Sequence, residues 1–358
     1  MIYYFVILML TLFSIYLQFN PKKSELKLLN IVCFVSFLAL GGLRFKVGAD
    51  WYSYENIFKS INNFSDIILA REEKLFMLFM YGSKLIANNY SFFVFIFFAV
   101  SFYLKYKVIK KYSPDIFLSL IIYFYTIFLI YDVNGIRQGM AMAIVLFSLS
   151  SILDKKLLLF IFLIIIASLF HISAILFFPF YWLSKIKVHK RIMIIIMAIS
   201  FFIFIPIQSI LENSTIIQPL LVLDRFSHYS AYLNNAAGRD ISFLSLAIFQ
   251  RIFTFSLFYF YFNKLKIDDN FKTLLFNGYF ISIIVFIFFS FSTEFASRLS
   301  FYFKALEIII IPIIVFSQNK IYNRLLLLLL FVLLSLIGTY RILELPNGGL
   351  IPYNSILW

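Results

Sequence analysis

Apolar runs follow one another from one end of this chain to the other, and they restrict its fold more than any other feature. They cover roughly residues 2–19, 28–43, 75–104, 116–131, 138–153, 157–170, 172–183, 192–211, 243–263, 273–291, 299–316 and 325–342. A hydrocarbon core about 30 Å thick takes roughly 20 residues of helix to cross. Backbone groups inside it must be satisfied within the segment, so a chain of this kind is helical. At 63% hydrophobic and 13% charged the sequence lies far from soluble domains, which are about 25% charged. The expectation is an all-α, polytopic integral membrane protein of about 12 transmembrane helices. It reads as one transmembrane domain, 1–358, with external loops at 44–74 and 212–242.

Charge orients these spans. Residues 2–19 lack a positive flank and a cleavage site and read as a first span, not a signal peptide. The loop with Lys22, Lys23 and Lys27 against Glu25 is basic and belongs inside, as does the stretch from Lys105 to Asp115. Asp154 to Lys156 and the group Lys185, Lys187, Lys190 and Arg191 continue the pattern. The opposite loops are close to neutral: 44–74 balances Arg44, Lys46, Lys59, Arg71 and Lys74 against Asp50, Glu55, Asp66, Glu72 and Glu73.

Two stretches fit one-span-per-run poorly. Asn88-Asn89-Tyr90 divides 75–106, and loop charge favours one net crossing there, with 75–87 interfacial or partly re-entrant. Runs 157–170 and 172–183 make only about 21 and 18 Å of helix, which predicts a thin or re-entrant hairpin with His171 near its apex.

The net charge of +14 does not indicate a nucleic-acid partner, because the cations are spread over short loops and form no single water-facing patch. The one cysteine, Cys33, excludes an intrachain disulfide. No zinc-ligand spacing, phosphate loop or nucleophile elbow is present, so neither a metal nor another cofactor is expected. The 49 phenylalanines read as lipid-facing filler.

The polar residues are more selective. Gly41-Gly42-Leu43-Arg44-Phe45-Lys46-Val47-Gly48-Ala49-Asp50-Trp51-Tyr52-Ser53-Tyr54 leaves a span with glycines, cations, a carboxylate and aromatics in close succession. Behind it, Tyr54, Ile57, Phe58 and Ile61 have helical spacing suited to an interfacial segment. Arg44 and Lys46 alone would be snorkelling anchors. Arg137, however, opens a helix in Asn134-Gly135-Ile136-Arg137-Gln138-Gly139 on the side the positive-inside trend leaves neutral, and a guanidinium beside a helix N-terminus suits phosphate oxygens. His171, one of three histidines, is a proton acceptor or ligand contact within an apolar run. On the topology above, Glu73, Arg298, His228 and Arg239 reach the same external side. Several arginines with few carboxylates point to an anionic, lipid-linked substrate such as a polyprenyl diphosphate.

The order Gly42-x-Arg44-x-x-x-Gly48-x-Asp50-x-x-x-Tyr54, Glu73, Ile136-Arg137-Gln138-Gly139, His171-x-Ser173-Ala174, Ser297-Arg298-x-x-x-Tyr302 and Ile351-Pro352-Tyr353 resembles the EpsG family of Wzy-type bacterial polysaccharide polymerases. The resemblance implies a metal-independent, GT-C-like glycosyltransferase in the bacterial cytoplasmic membrane with its active site facing outward. It would join undecaprenyl-diphosphate-linked oligosaccharide units for an O-antigen, capsule or exopolysaccharide, beside a chain-length regulator and a flippase. On this reading Arg137 and Arg298, with Arg44 assisting, hold the diphosphate. Either Asp50 or His171 is the base, and Tyr54 and Glu73 position sugar. Gln138, Tyr302, His228 and Arg239 complete the expected substrate contacts. A flippase for the same lipid and a membrane acyltransferase acting on a surface glycan are the competing classes.

Overall fold

The computed structural model describes residues 1–189, 191–200, 202, 246–290, 293–345 and 348–357, with the side chains of 293 and 294 left aside. These residues fall into two compact units, residues 1–178 with 307–358 and residues 179–306.

The first unit opens with α1 (Ile2–Leu17) and α2 (Lys23–Gly42). Two short helices follow, α3 (Trp51–Ser60) and α4 (Phe64–Leu69), and then α5 (Lys74–Ile86) and α6 (Tyr90–Tyr112). The break between α5 and α6 has a local cause: the Asn89 carboxamide oxygen accepts from the N–H groups of Ser91 and Phe92, capping a new helix. Helix α7 (Ile116–Tyr123) starts in the same way on Asp115, which accepts from Phe117 and Leu118 N–H at 2.9 and 3.0 Å. It continues as a π-helix, Phe124–Asp132. Then come α8 (Ile136–Leu153) and α9 (Leu157–Phe170), which ends at His171 and passes into a 3-10 turn, Ile172–Phe177. Helices Glu307–Phe316 and Ile321–Leu343 complete the unit.

α7, its π-helical extension and Glu307–Phe316 are buried almost throughout and form the centre of this unit. Aromatic rings fill the space around them. Phe37 stacks on Phe102 at 5.2 Å and meets Phe128 edge-on at 5.7 Å, and Phe124 stacks on Phe128 at 5.3 Å. Reading the phenylalanines as lipid-facing filler is therefore wrong for this interior: Phe37, Phe76, Phe93, Phe102, Phe117 and Phe124 are buried. Others, such as Phe5 and Phe162, do face outward.

The second unit holds helices Phe180–Leu183, Arg191–Ser200, Leu246–Tyr261, Asp269–Phe288 and Thr293–Lys304. The expected continuous span 299–316 is interrupted at Ala305–Leu306 and becomes two helices, because the helical bonding lapses into a turn there.

Among the described residues five helices are long and apolar enough to cross a membrane, or six if Phe295–Lys304 and Glu307–Phe316 count as one span. Five shorter apolar helices, among them Ile2–Leu17 and Leu157–Phe170, accompany them. These apolar helices make the chain a membrane protein. α5, at 13 residues, is about 20 Å long and too short to span alone.

Candidate functional site

Three helix ends converge in the first unit. Glu73 is the N-cap residue of α5, Arg137 lies in the first turn of α8, and His171 is the C-cap of α9. The Arg137 Nη1 donates to Glu73 Oε2 at 2.5 Å, and His171 Nδ1 lies 3.0 Å from Glu73 Oε1. One carboxylate thus joins a guanidinium and an imidazole that are 64 and 98 residues away in sequence. Arg137 Nε donates to the Tyr54 hydroxyl at 3.4 Å, and the guanidinium lies over the Tyr54 and Phe76 rings at 5.8 and 5.9 Å. The fork has five donors, and Nη2 makes no hydrogen bond among the described residues. The side chains of Arg137, Glu73 and His171 are 30%, 18% and 12% exposed, enough for a ligand to reach them.

Burial alone would raise the pKa of Glu73, but the hydrogen bond from His171 and the charge of Arg137 outweigh it and bring it down to about 2. Glu73 is a permanent anion at neutral pH. It holds Arg137 by a charge-assisted bond and fixes the orientation of the His171 ring. Burial raises the phenol pKa of Tyr54 as well, and there it prevails, so this hydroxyl stays protonated.

Local structure explains why these residues meet. The loop before Glu73 is drawn in by Lys74, whose Nζ donates to the carbonyls of Ile67, Ile68 and Ala70 at the end of α4. Lys84 does the same for α3, donating to Phe58 and Ile61 carbonyls at 3.1 and 2.6 Å. α3 buries Trp51, Tyr54 and Phe58, of which Tyr54 and Phe58 belong to the apolar spacing read from the sequence, and Tyr54 meets Phe76 edge-on at 5.6 Å. His171 breaks α9 with an extended backbone, φ −158°, and the 3-10 turn resumes when Ala174 N–H bonds its carbonyl.

The stretch 41–54 packs beside this cluster on two supports. Gly48 has φ +109°, which favours glycine, and a Cβ there would come within 2.8 Å of the Val133 carbonyl oxygen. Its N–H donates to Gly349 O at 2.8 Å, while Ala49 N–H donates to Asn134 Oδ1 at 2.7 Å. Leu43 and Phe45 pair with the C-terminal segment through Ile356 N–H to Leu43 O and Phe45 N–H to Asn354 O.

The remaining expected site residues are distributed as follows. Gln138 is buried on α8 next to Arg137. Asp50 is the half-buried N-cap of α3, and its charge is felt by Tyr54. Arg44, expected at the substrate, is 2% exposed and directs its guanidinium to the carbonyls of Gly41 and Val133. Arg298 and Tyr302 lie on Thr293–Lys304 in the second unit, with Tyr302 buried. His228 and Arg239 lie outside the described residues, as does the external loop 212–242.

Lys105 and Arg251 are among the buried cations that sequence reasoning overlooked. Lys105, counted with the inside loop, sits in α6 with no exposed surface and pairs with Asp132 at 2.5 Å. Its i,i+4 relation to Ser101 was the available signal, since both face one side of the helix. Arg251 lies inside the apolar helix Leu246–Tyr261, lies over the Phe286 ring at 3.7 Å and donates to Ser300 Oγ at 3.0 Å. An arginine at that depth in an apolar run is the signal the reading passed over.

No curated protein and no solved structure matches the chain. The family comparison agrees with the motif order: the EpsG family profile matches residues 26–355, and the chain belongs to the EpsG family.

Proposed function

We propose that this protein is a polysaccharide polymerase, a metal-independent glycosyltransferase of GT-C-like character with about 12 spans. It joins undecaprenyl-diphosphate-linked oligosaccharide units at the outer face of the bacterial cytoplasmic membrane. The observation that carries the reading is the Glu73 carboxylate gripping Arg137 and His171 at once, in a chain of the EpsG family.

The chemistry follows from the geometry. In the transfer, the bond between the donor sugar's anomeric carbon and the diphosphate oxygen breaks, and an acceptor hydroxyl oxygen forms the new bond to that carbon. Negative charge collects on the departing diphosphate, and Arg137, whose Nη2 has no acceptor among the described residues, supplies a preorganised donor for it. The acceptor hydroxyl loses its proton to His171. Glu73 bound at Nδ1 orients the ring for that transfer and keeps the imidazolium stable once formed. Of the two bases expected from sequence, His171 is favoured because a second group orients it. Tyr54 and Phe76 form an aromatic wall beside Arg137.

The test uses purified protein in lipid vesicles with synthetic lipid-linked repeat units. Wild type is expected to give a glycan ladder, Arg137→Ala none, and His171→Ala a rate lower by about 10² to 10⁴. A wild-type ladder from Arg137→Ala at equal expression overturns the diphosphate assignment. A product unchanged in length but chemically modified overturns the polymerase reading itself.

A further inference from the structure

The buried ion pair under the turn that carries Arg137 has no place in the transfer described above. Asp132, at the end of the π-helix, accepts from Lys105 Nζ at 2.5 Å, Ser101 Oγ at 3.1 Å and Tyr123 Oη at 2.6 Å. Both charged side chains are almost wholly buried. A pair of this kind gains little stability over an apolar replacement and is best explained by what it holds in place.

It holds the start of α8. A Cβ on Gly139 would lie 2.5 Å from Asp132 Oδ1 and 2.7 Å from Tyr131 O, so the first turn of α8 rests directly on Asp132. The two residues after Asp132 are fixed from the other side: Arg44 Nη2 donates to Val133 O at 3.4 Å, and Asn134 receives Ala49 N–H. Arg137 is a few residues further on.

Arg44 and Asp132 also face one small cavity. It is lined by Arg44, Ser101, Asp132 and the rings of Phe97 and Phe98. The Arg44 Nε is buried and has no hydrogen-bond partner among the described residues. The cavity's volume of about 10 Å³ suits one water, which needs two to four polar partners. Among its lining residues Arg44, Asp132 and Ser101 carry polar groups that such a water can bond.

We propose that Arg44, Asp132 and Lys105 form one buried charge network, closed by a single water between Arg44 Nε and Asp132, that positions Arg137 without touching substrate. Arg44 then serves the site as a positioning residue rather than a substrate contact. Its link to Asp132 couples the stretch 41–54 to the first turn of α8, where a shift of about 1 Å is enough to cost a hundredfold in rate.

The kinetic arm rests on the polymerase reading, and the structural arm does not. In an experimental structure with ordered waters, wild type is expected to show one water bridging Arg44 Nε and Asp132, and a dry cavity overturns the network. Two variants follow. Lys105→Met/Asp132→Asn removes both charges together and avoids leaving one unpaired, and Arg44→Lys keeps the charge but lacks Nε. Both are expected to melt within a few degrees of wild type, to lengthen the Arg137–Glu73 contact, and to lower kcat for polymerisation about a hundredfold with a smaller change in the KM for the lipid-linked donor. An unchanged Arg137–Glu73 contact and unchanged kcat in both overturn the proposal. If wild type makes no polymer, the polymerase reading fails, while the water and the Arg137–Glu73 contact still decide the network. If the double variant does not fold, Arg44→Lys decides alone.

Discussion

Replacing Glu73 by glutamine changes one oxygen to an amide nitrogen and takes away the charge on which Arg137 and His171 both depend. The ordinary glutamate pKa of 4.5 falls to about 2 in the folded protein, so the folded environment favours the carboxylate over its neutral form by about 3 kcal/mol more than water does. Glutamine imitates that neutral form, and only one of its two terminal atoms accepts. If the carbonyl oxygen keeps His171, the amide faces the Arg137 donors, and the reverse choice leaves the imidazole without an acceptor. The expected loss is about 1 to 3 kcal/mol of stability, given that the pair is partly exposed, together with a fall of about 10² or more in polymerisation rate as the base loses its orientation. The assay is ladder formation from lipid-linked units at matched protein, with thermal melting measured on the same preparation. Glu73→Asp separates charge from reach: it keeps the anion but withdraws it by one methylene, and should fall between wild type and Glu73→Gln. A wild-type rate from folded Glu73→Gln would refute the reasoning, because neither Arg137 nor His171 would then need the carboxylate.

Three further outcomes follow from the same contacts. Because the pKa of Glu73 is depressed on folding, its contribution to stability is complete above about pH 4.5 and is lost as pH falls toward about 2; melting curves across that window should show an acid loss in wild type that is much smaller in Glu73→Gln. Gly139→Ala pushes a methyl group onto Asp132 and the Tyr131 carbonyl and should cost about 1 to 3 kcal/mol, read as a lower melting temperature with weaker donor binding. Deleting residues 351–358 removes the bonds from Phe45 to Asn354, from Ile356 to Leu43 and from Tyr353 to Leu40, each worth about 1 kcal/mol, and limited proteolysis should then cut faster between residues 43 and 50.

The sequence pattern contained the helices and the chemical identity of the central cluster. Glu73, Arg137, His171 and Tyr54 stood out because charged or titratable groups in an apolar chain need a purpose, and the structure brings these four together. Register could not be read in the same way. Lys105 looks like one more lysine of a basic loop until Asp132 is placed across from it, and the partner is supplied by a π-helix that no apolar period announces. Asp115 likewise counts as a loop charge in sequence but is buried as the cap of α7, accepting from Ser14 as well as from its own helix. The phenylalanines misled for a related reason: a ring facing lipid and a ring in a stacked core have the same hydropathy, and only the neighbours differ. The break at Ala305–Leu306 has no glycine or proline to mark it.

The pairing of Leu43 with Ser355 and its neighbours has a bearing on how the protein is made. The two partners are separated by 312 residues, and Tyr3 waits still longer, 347 residues, for the Leu350 carbonyl that its hydroxyl meets. During synthesis the stretch 41–54 enters the membrane early and must wait, incompletely paired, while nearly all the other helices are inserted. Closure over the stretch 41–54 is thus a late step, and a ribosome that stalls anywhere before residue 349 leaves helices in the bilayer but no clasp on it. Quality control that recognises an open 41–54 segment would separate finished molecules from unfinished ones.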